Sequence, residues 1–404
     1  MQLVEQHVIS RQDSRYQIID AASFASKNLY NLANYHMRQS FIHTGRYLSY
    51  AEVYHLVKQN DAYQALPRKV SNDVLRLLGK NWKAYRKALA AWYEDPSAFS
   101  GRPCLPKYKD KKHGRNILIY DIQALSKTAL SRGMIAPSQL GITILTKQHH
   151  IKQVRIVPRH GYFVVEVVYE QQEQAAQVSS CLVAGIDIGL NNLATLTSNK
   201  PGFAPLLVNG RPLKSINQYY NKHKADLESK LMKMDARRRT SHQLEWLTAK
   251  RTRKINHYLH TQSHRVIEHL VEEGIGTLVI GKNEVWKQEA NLGKRTNQQF
   301  VQIPHARFIA MLTYKAQLVG IQVILQEESH TSKCSFLDNE PICHHKLYMG
   351  KRVKRGLFRT NNGRRINADV NGSYNIIRKA IPDSFSGKQG IEGVAVRPVG
   401  VPTY

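Results

Sequence analysis

The chain has 404 residues, 59 Lys+Arg against 30 Asp+Glu, a formal net charge of +29 and 42% hydrophobic residues. It is too long for a disulfide-stapled miniprotein and too apolar for a disordered basic tail, and it has room for two or three domains. A positive surplus spread along most of the chain opposes compaction unless a polyanion neutralises it, so nucleic acid is the expected partner.

Four cysteines, Cys104, Cys181, Cys334 and Cys343, are too few for a disulfide framework and fit a reducing compartment. Residues 1–7 lack the apolar core of a signal peptide, and no run approaches the ~20 apolar residues of a membrane span. A cytoplasmic, nucleoid-associated protein without a membrane partner is expected.

In chain order, residues 3–10 form a first expected strand. Residues 21–35 and 73–92 then carry apolar and aromatic side chains at helical spacing, with Leu75, Leu77, Leu78, Trp82 and Tyr85 on the clearest face. Arg76, Lys80 and Lys83 flank that face: singly they read as a solvated helix surface, together as candidate nucleic-acid contacts. Lys107, Tyr108 and Lys109 lie in a Pro-, Gly- and Lys-rich break that is either a solvated linker or a loop tracking a nucleic-acid backbone. Residues 117–120, 141–145, 154–158 and 161–169 are β-branched-rich and, with 3–10, predict a small β-barrel interrupted by the helical insertion. Polar residues 171–180 form the linker to the second half.

That half alternates strands and helices, as an α/β sheet does. Residues 181–188 make a strand apolar on both faces, and 193–197 return as its hairpin partner. A long basic helical region runs from about 215 to 273. Strand 277–280, helix 304–319, strand 321–326 and a final helix starting near Asn367 follow. Arg237, Arg238, Arg239, Arg251, Arg253 and Lys254 exceed what a solvated helix face needs and are expected on nucleic acid. Trp82, Trp92, Trp246 and Trp286 are read as core rather than base-stacking platforms, and His305 as a surface or capping residue rather than a ligand.

Three stretches carry chemistry: Gly185-Ile186-Asp187-Ile188-Gly189, Gln326-Glu327-Glu328-Ser329 and Asn367-Ala368-Asp369-Val370-Asn371-Gly372. Each puts a carboxylate at a strand end or in a first helical turn. An ionised Asp187 inside an apolar strand costs several kcal/mol unless a cation compensates it, and a pair of divalent metals is the usual compensation. Strand, strand-end and helix carboxylates in this order predict an RNase H-like nuclease holding two magnesium ions. Asn371 and Asn375, one turn apart, either orient Asp369 or serve the helix start.

Residues 101–109, 185–197, the basic helix, Phe300-Val301-Gln302-Ile303-Pro304, 314–320, Thr331-Ser332-Lys333-Cys334-Ser335 and 367–379 together resemble TnpB, the RNA-guided nucleases of insertion sequences and ancestors of type V CRISPR effectors. The resemblance spans essentially the whole chain. It implies a wedge β-barrel at 1–14 and 101–178, a helical recognition insertion at 15–100, and a RuvC nuclease domain at 179–330 completed by the final helix and tail at 367–404. Between them, 331–366 corresponds to a zinc-finger-like insertion. The implied partners are a guide RNA from the transposon end and target DNA carrying a short adjacent motif, and the expected protein is a monomer.

Two departures from the family pattern matter. The customary second catalytic glutamate is replaced by Gly281, and Glu327-Glu328 ends the neighbouring strand, so Glu328 is the first candidate, Glu327 the second, and Glu284 the loop alternative. The expected magnesium ligands are therefore Asp187, Glu328 and Asp369. The family's two Cys-x-x-Cys pairs are reduced to Cys334 and Cys343-His344-His345, so structural zinc is not expected. Lys351, Arg352, Lys354, Arg355, Arg364 and Arg365 are expected to hold that segment on nucleic acid instead. The leading expectation is RNA-guided DNA cleavage; the alternatives are a nuclease-dead RNA-guided repressor and a strand-transferring DNA transposase.

Overall fold

The computed structural model describes residues 1–234, 240–282, 301–354, 356–386 and 398–401. The expected contacts Arg237, Arg238, Arg239 and Arg355, and also Glu284 and Trp286, lie outside these residues. The chain divides into two compact units, Met1–Gln171 and Gln172–Tyr404. Among the described residues no helix is long and apolar enough to cross a membrane.

In the first unit, β1 (Gln2–Ser10) pairs antiparallel with a later hairpin. Four helices follow: α1 (Tyr16–Thr44), α2 (Tyr50–Val57), α3 (Asp61–Gln64) and α4 (Arg68–Glu94). Gly45, at φ 67°, takes the left-handed conformation that closes α1. Leu75, Leu78, Trp82 and Tyr85 of α4 are buried against Leu29, Tyr30, Ala33 and Met37 of α1, whereas Leu77 is half-buried. Burying indole demands a partner for its N–H, and Trp82 Nε1 donates to Asn34 Oδ1 at 3.0 Å.

The strands β2 (Leu118–Asp121), β3 (Met134–Ile135), β4 (Ile144–Leu145), β5 (Ile151–Arg159) and β6 (Tyr162–Glu170) complete the unit, with a short helix α5 (Lys127–Ser131) before β3. Gly161, at φ 81°, makes the tight turn between β5 and β6. The sheet runs β1-β6-β5-β2, and β3–β4 is a separate ladder sharing its apolar core through Ile135 and Ile144. Among the described residues β1 and β2 are edges, so hydrogen bonding does not close the sheet into a cylinder.

The second unit is a mixed α/β fold built on a six-stranded sheet. Its strands are β7 (Ser179–Ile188), β8 (Asn192–Ser198), β9 (Leu206–Asn209), β10 (Ile275–Gly281) and β11 (Gln322–Gln326), a short ladder β12 (Lys351–Lys354), β13 (Leu357–Arg359) and β14 (Arg365–Asn367) standing apart, and β15 (Val399–Gly400). The order is β11-β10-β7-β8-β9-β15, with β7, β8 and β9 an antiparallel meander and β10 and β11 parallel to β7. The helices are α6 (Arg211–Met234), α7 (His242–Glu272), α8 (His305–Leu318) and α9 (Ala368–Ala380).

Both faces of the central strands are covered, and the period of two decides what each face carries. Ala184, Ile186, Ile188, Leu278 and Ile280 enter the large core with Leu259, Val266, Phe308 and Leu312 from α7 and α8. The alternate residues Val183 and Val279 pack with Ile376 and Ile377 of α9. Asp187 shares the second parity, so it belongs to the α9 face. The approach of α9 to β7 is close: a Cβ at Gly185 would meet the Ser373 carbonyl oxygen at 2.7 Å. Ser373 Oγ bonds the carbonyls of Gly185 and Thr195 at 2.8 and 3.0 Å, pinning the helix to the hairpin.

Candidate active site

Asp187 sits one residue before the end of β7, opposite Thr195 of β8. Burial pushes its carboxyl well above the usual range, and the negative charges of Glu328 and then Asp369 push it further, against a smaller pull from Arg352. Asp187 therefore lies within electrostatic reach of both other acids. Asp369 is in the first turn of α9, where the helix dipole favours an anion and Asn367 caps the free backbone donors. Its oxygens accept from Asn192 Nδ2 at 2.9 Å and an Arg352 guanidinium nitrogen at 3.2 Å.

Glu328 arrives from the neighbouring strand. Gly281 ends β10 beside Gln326, and Lys282 N donates to the Gln326 carbonyl at 2.8 Å, so the chain leaving β11 passes over the end of β10. Burial raises Glu328 to about 7, with Glu327 adding to the shift. Its Oε1 is buried with no hydrogen-bond partner. Glu327 points elsewhere: it is exposed, accepts from Lys379 Nζ at 2.7 Å and Ser329 Oγ at 2.6 Å, and these bonds hold it down at about 2.

Two glycines shape the cradle. A Cβ at Gly372 would meet Asp187 Oδ2 at 2.8 Å, and one at Gly281 would meet Glu328 Cδ at 2.8 Å. Only hydrogen at these positions leaves room for the carboxylates. Two desolvated acids, Asp187 and Glu328, one with an unpartnered oxygen, beside the partly exposed Asp369 suit a divalent cation, and these three are the residues that would hold it. As they stand, no three His, Cys, Asp or Glu side chains among the described residues converge closely enough to bind an ion. Arg352 supplies part of the missing positive charge.

Several other readings change with the structure. Asn371 Nδ2 donates to the Cys334 carbonyl and its Oδ1 accepts from Phe336 N, while Asn375 Nδ2 reaches the carbonyls of Thr331 and Cys334. Both asparagines hold the segment after β11 and do not bond Asp369. His305 is buried at the start of α8 and not at the surface. Trp246, read as core, is 56% exposed with Lys250 Nζ 4.5 Å from its ring centre. Cys334 is buried and donates to the Cys343 carbonyl, and Cys343 Sγ lies 3.4 Å from His345 Nε2.

The candidate nucleic-acid contacts fall into distinct settings. Arg76, Lys80, Lys83, Arg253, Lys254, Lys351, Lys354, Arg364 and Arg365 are exposed. Lys107, Tyr108 and Lys109 are exposed too, but their loop is tied to α1: Asn34 and Arg38 donate to the Pro106 carbonyl, Asn31 brackets Lys109, and Arg38 lies 5.0 Å from the Tyr108 ring centre. Arg251 is spent inside, donating to Asn217 Oδ1 at 2.7 Å and the Gln302 carbonyl and stacking on Tyr220. Sequence reasoning missed Asn192, Gly372 and Lys379. The one available signal was the Gly189-Leu190-Asn191-Asn192 turn, which places an amide beside the end of β7.

Comparison with known proteins bears on this site. The family model OrfB_IS605, described as a probable transposase, matches residues 166–287, and the Cas12f1-like TNB domain model matches 305–376. A TnpB-like protein, ORF457 of Acidianus two-tailed virus, is 26% identical over 215 residues, 52% of this chain and 44% of the relative. The match thus spans under half the length of that relative. A structure described as the Cas12f1-sgRNA-target DNA complex is similar with a TM-score of 0.55 at 14% identity, covering 89% of this chain and 82% of that one. At that identity the likeness concerns the fold. The chain is thus similar to a TnpB-like protein over about half its length, and its fold resembles that of the Cas12f1 structure.

Proposed function

We propose that this chain is an RNA-guided, magnesium-dependent DNA endonuclease associated with an insertion sequence. The observation that carries the reading is that Glu328, from the end of β11, and Asp369, from α9, both act electrostatically on Asp187 of β7, in a chain of net charge +29. The antiparallel meander β7–β8–β9 continued by parallel β10 and β11 supports an RNase H-like, RuvC-type nuclease domain. The first unit is read as wedge and recognition lobe, and 331–366 as a degenerate zinc-finger-like arm, with the guide RNA transcribed from the transposon end.

Two magnesium ions bound there would compensate charge as water displaces the 3′ oxygen of a phosphodiester. The chain's own part is to present the three carboxylates from β7, the end of β11 and α9 and to keep Asp369 oriented through Asn192. Arg352 sets a cation at the edge of the cradle. The basic surface would bind the polyanions.

The repressor alternative drew its support from the absent acid at Gly281. Glu328 fills that space, so the support falls away. A strand-transferring transposase would use the same acids but join DNA ends instead of leaving them cut. The test is to express the chain with its flanking transposon DNA, sequence the copurified RNA and challenge the complex with plasmid targets. A discrete RNA and magnesium-dependent cuts at complementary sites are expected. Sequence-specific cleavage by RNA-free protein, or joined products, would overturn the reading.

A further inference from the structure

A cavity of about 180 Å³ opens between α6 and α7, away from the acids in sequence and lined by Ser215, Tyr219, Tyr220, Lys250, Arg251 and Lys254 over an apolar floor. It is smaller than the ~300–1,000 Å³ of pockets for drug-sized ligands and suits one planar ring system. One wall is rigid: Tyr220 Oη bonds Thr248 Oγ1 at 3.2 Å, and its ring is stacked on the internally fixed Arg251. The other wall, Tyr219, is 54% exposed, its ring 4.1 Å from that of His223. At the rim stand Lys254, exposed, and Lys250, which lies over the exposed Trp246 ring.

We propose that this cavity seats one unpaired nucleotide, its base against the exposed Tyr219 ring over the Ile216 and Leu247 floor and its phosphate on Lys250 and Lys254. Aromatic faces beside flexible cations are what single-stranded nucleic acid requires, since every base has a face to stack and every linkage a charge to neutralise. An acidic peptide would use the lysines but would leave the Tyr219 ring without a planar partner. Bases within a duplex are already stacked on their neighbours, so a free aromatic face selects a splayed or terminal nucleotide and not duplex. The inference rests on the reading of the chain as a nucleic-acid-guided nuclease and adds to it a seat for one base. RNA and DNA present the same chemistry to such a seat.

The test uses the full chain without magnesium and five-nucleotide DNA and RNA strands carrying 2-aminopurine at the centre, whose fluorescence falls on stacking. Wild type should quench the probe. Tyr219→Ala, which removes a wall, and Ser215→Phe, which fills the seat while keeping every cation, should each weaken that titration roughly tenfold. Binding of an end-labelled strand abasic at the centre should be unchanged by Ser215→Phe, and the more strongly quenched backbone identifies the source of the nucleotide. Quenching by both variants as in wild type, or equal weakening of the abasic strand, overturns the proposal. The readout needs neither magnesium nor cleavage, so lost quenching in the variants reports on the seat, whereas absent plasmid cutting by the wild type reports on the nuclease reading.

Discussion

The carboxylate of Glu328 occupies the space in which a side chain at Gly281 would begin: a Cβ there would meet Glu328 Cδ at 2.8 Å and Ile376 Cδ1 at 2.7 Å. The ends of β10 and β11 therefore share one seat for one acid. Gly281→Glu should eject Glu328 and cut cleavage by roughly two orders of magnitude or more, as should Glu328→Gln. The pair Gly281→Glu with Glu328→Ala should cleave faster than either single variant, because it returns one carboxylate to the seat. Plasmid-cleavage rates measure this, and a double variant no better than the singles would show that the seat is not shared.

On the proposed function, Asp187→Ala and Asp369→Ala should each abolish cleavage and leave guided DNA binding within a few-fold of wild type, since both acids would then serve the reacting phosphate and not the duplex. Gel-shift and cleavage assays on the same preparations decide it. Normal cutting by either variant would remove that acid from the site.

Gly372→Ala separates stability from activity. In a helix interior alanine is favoured over glycine by ~1 kcal/mol, yet here its methyl would press on Asp187 Oδ2 at 2.8 Å. Thermal stability should hold or rise while cleavage falls about tenfold or more. A variant as active as wild type would mean that Asp187 has slack.

Glu327→Gln should have a mild effect, within a few-fold on cleavage, because its carboxylate is half exposed and engaged by Lys379 and Ser329. Glu284→Gln should be equally mild. Inactivation by either, with Glu328→Gln active, would reassign the third acid.

Lys315 offers a pH signature away from the acids. Its ammonium donates to the His260 carbonyl and Ser263 Oγ, and burial lowers it to about 8 from 10.5. Between those values the unfolded chain binds the proton that the folded chain has lost, so this residue's contribution to stability rises with pH across the window and is lost as pH falls through 8. The stability difference between wild type and Lys315→Met should therefore grow in favour of wild type from pH 8 to 10.5. A difference independent of pH would contradict the lowered value.

Much of this protein is legible along the chain, because strand parity, helical spacing and turn glycines are local. The β7–β8 hairpin and the capped final helix follow from runs of a few residues read with elementary rules, and the same runs mark Asp187, the Glu327-Glu328 pair and Asp369 as candidate acids. The apolar stripe of α4 likewise announces its burial in its spacing. What the chain could not decide is what residues far apart do to one another. That Glu328 rather than Glu327 turns inward depends on the chain from β11 crossing the end of β10 and on Lys379, some fifty positions later, capturing Glu327. Gly281 reads as a missing acid until the sheet shows that a side chain there would overlap one. Arg251 reads as a free cation until α6 and the segment before α8 close around it. Trp246 reads as core until α7 leaves it outside. Pairing, burial and exclusion of volume between segments are properties of the packed chain, and no local pattern encodes them.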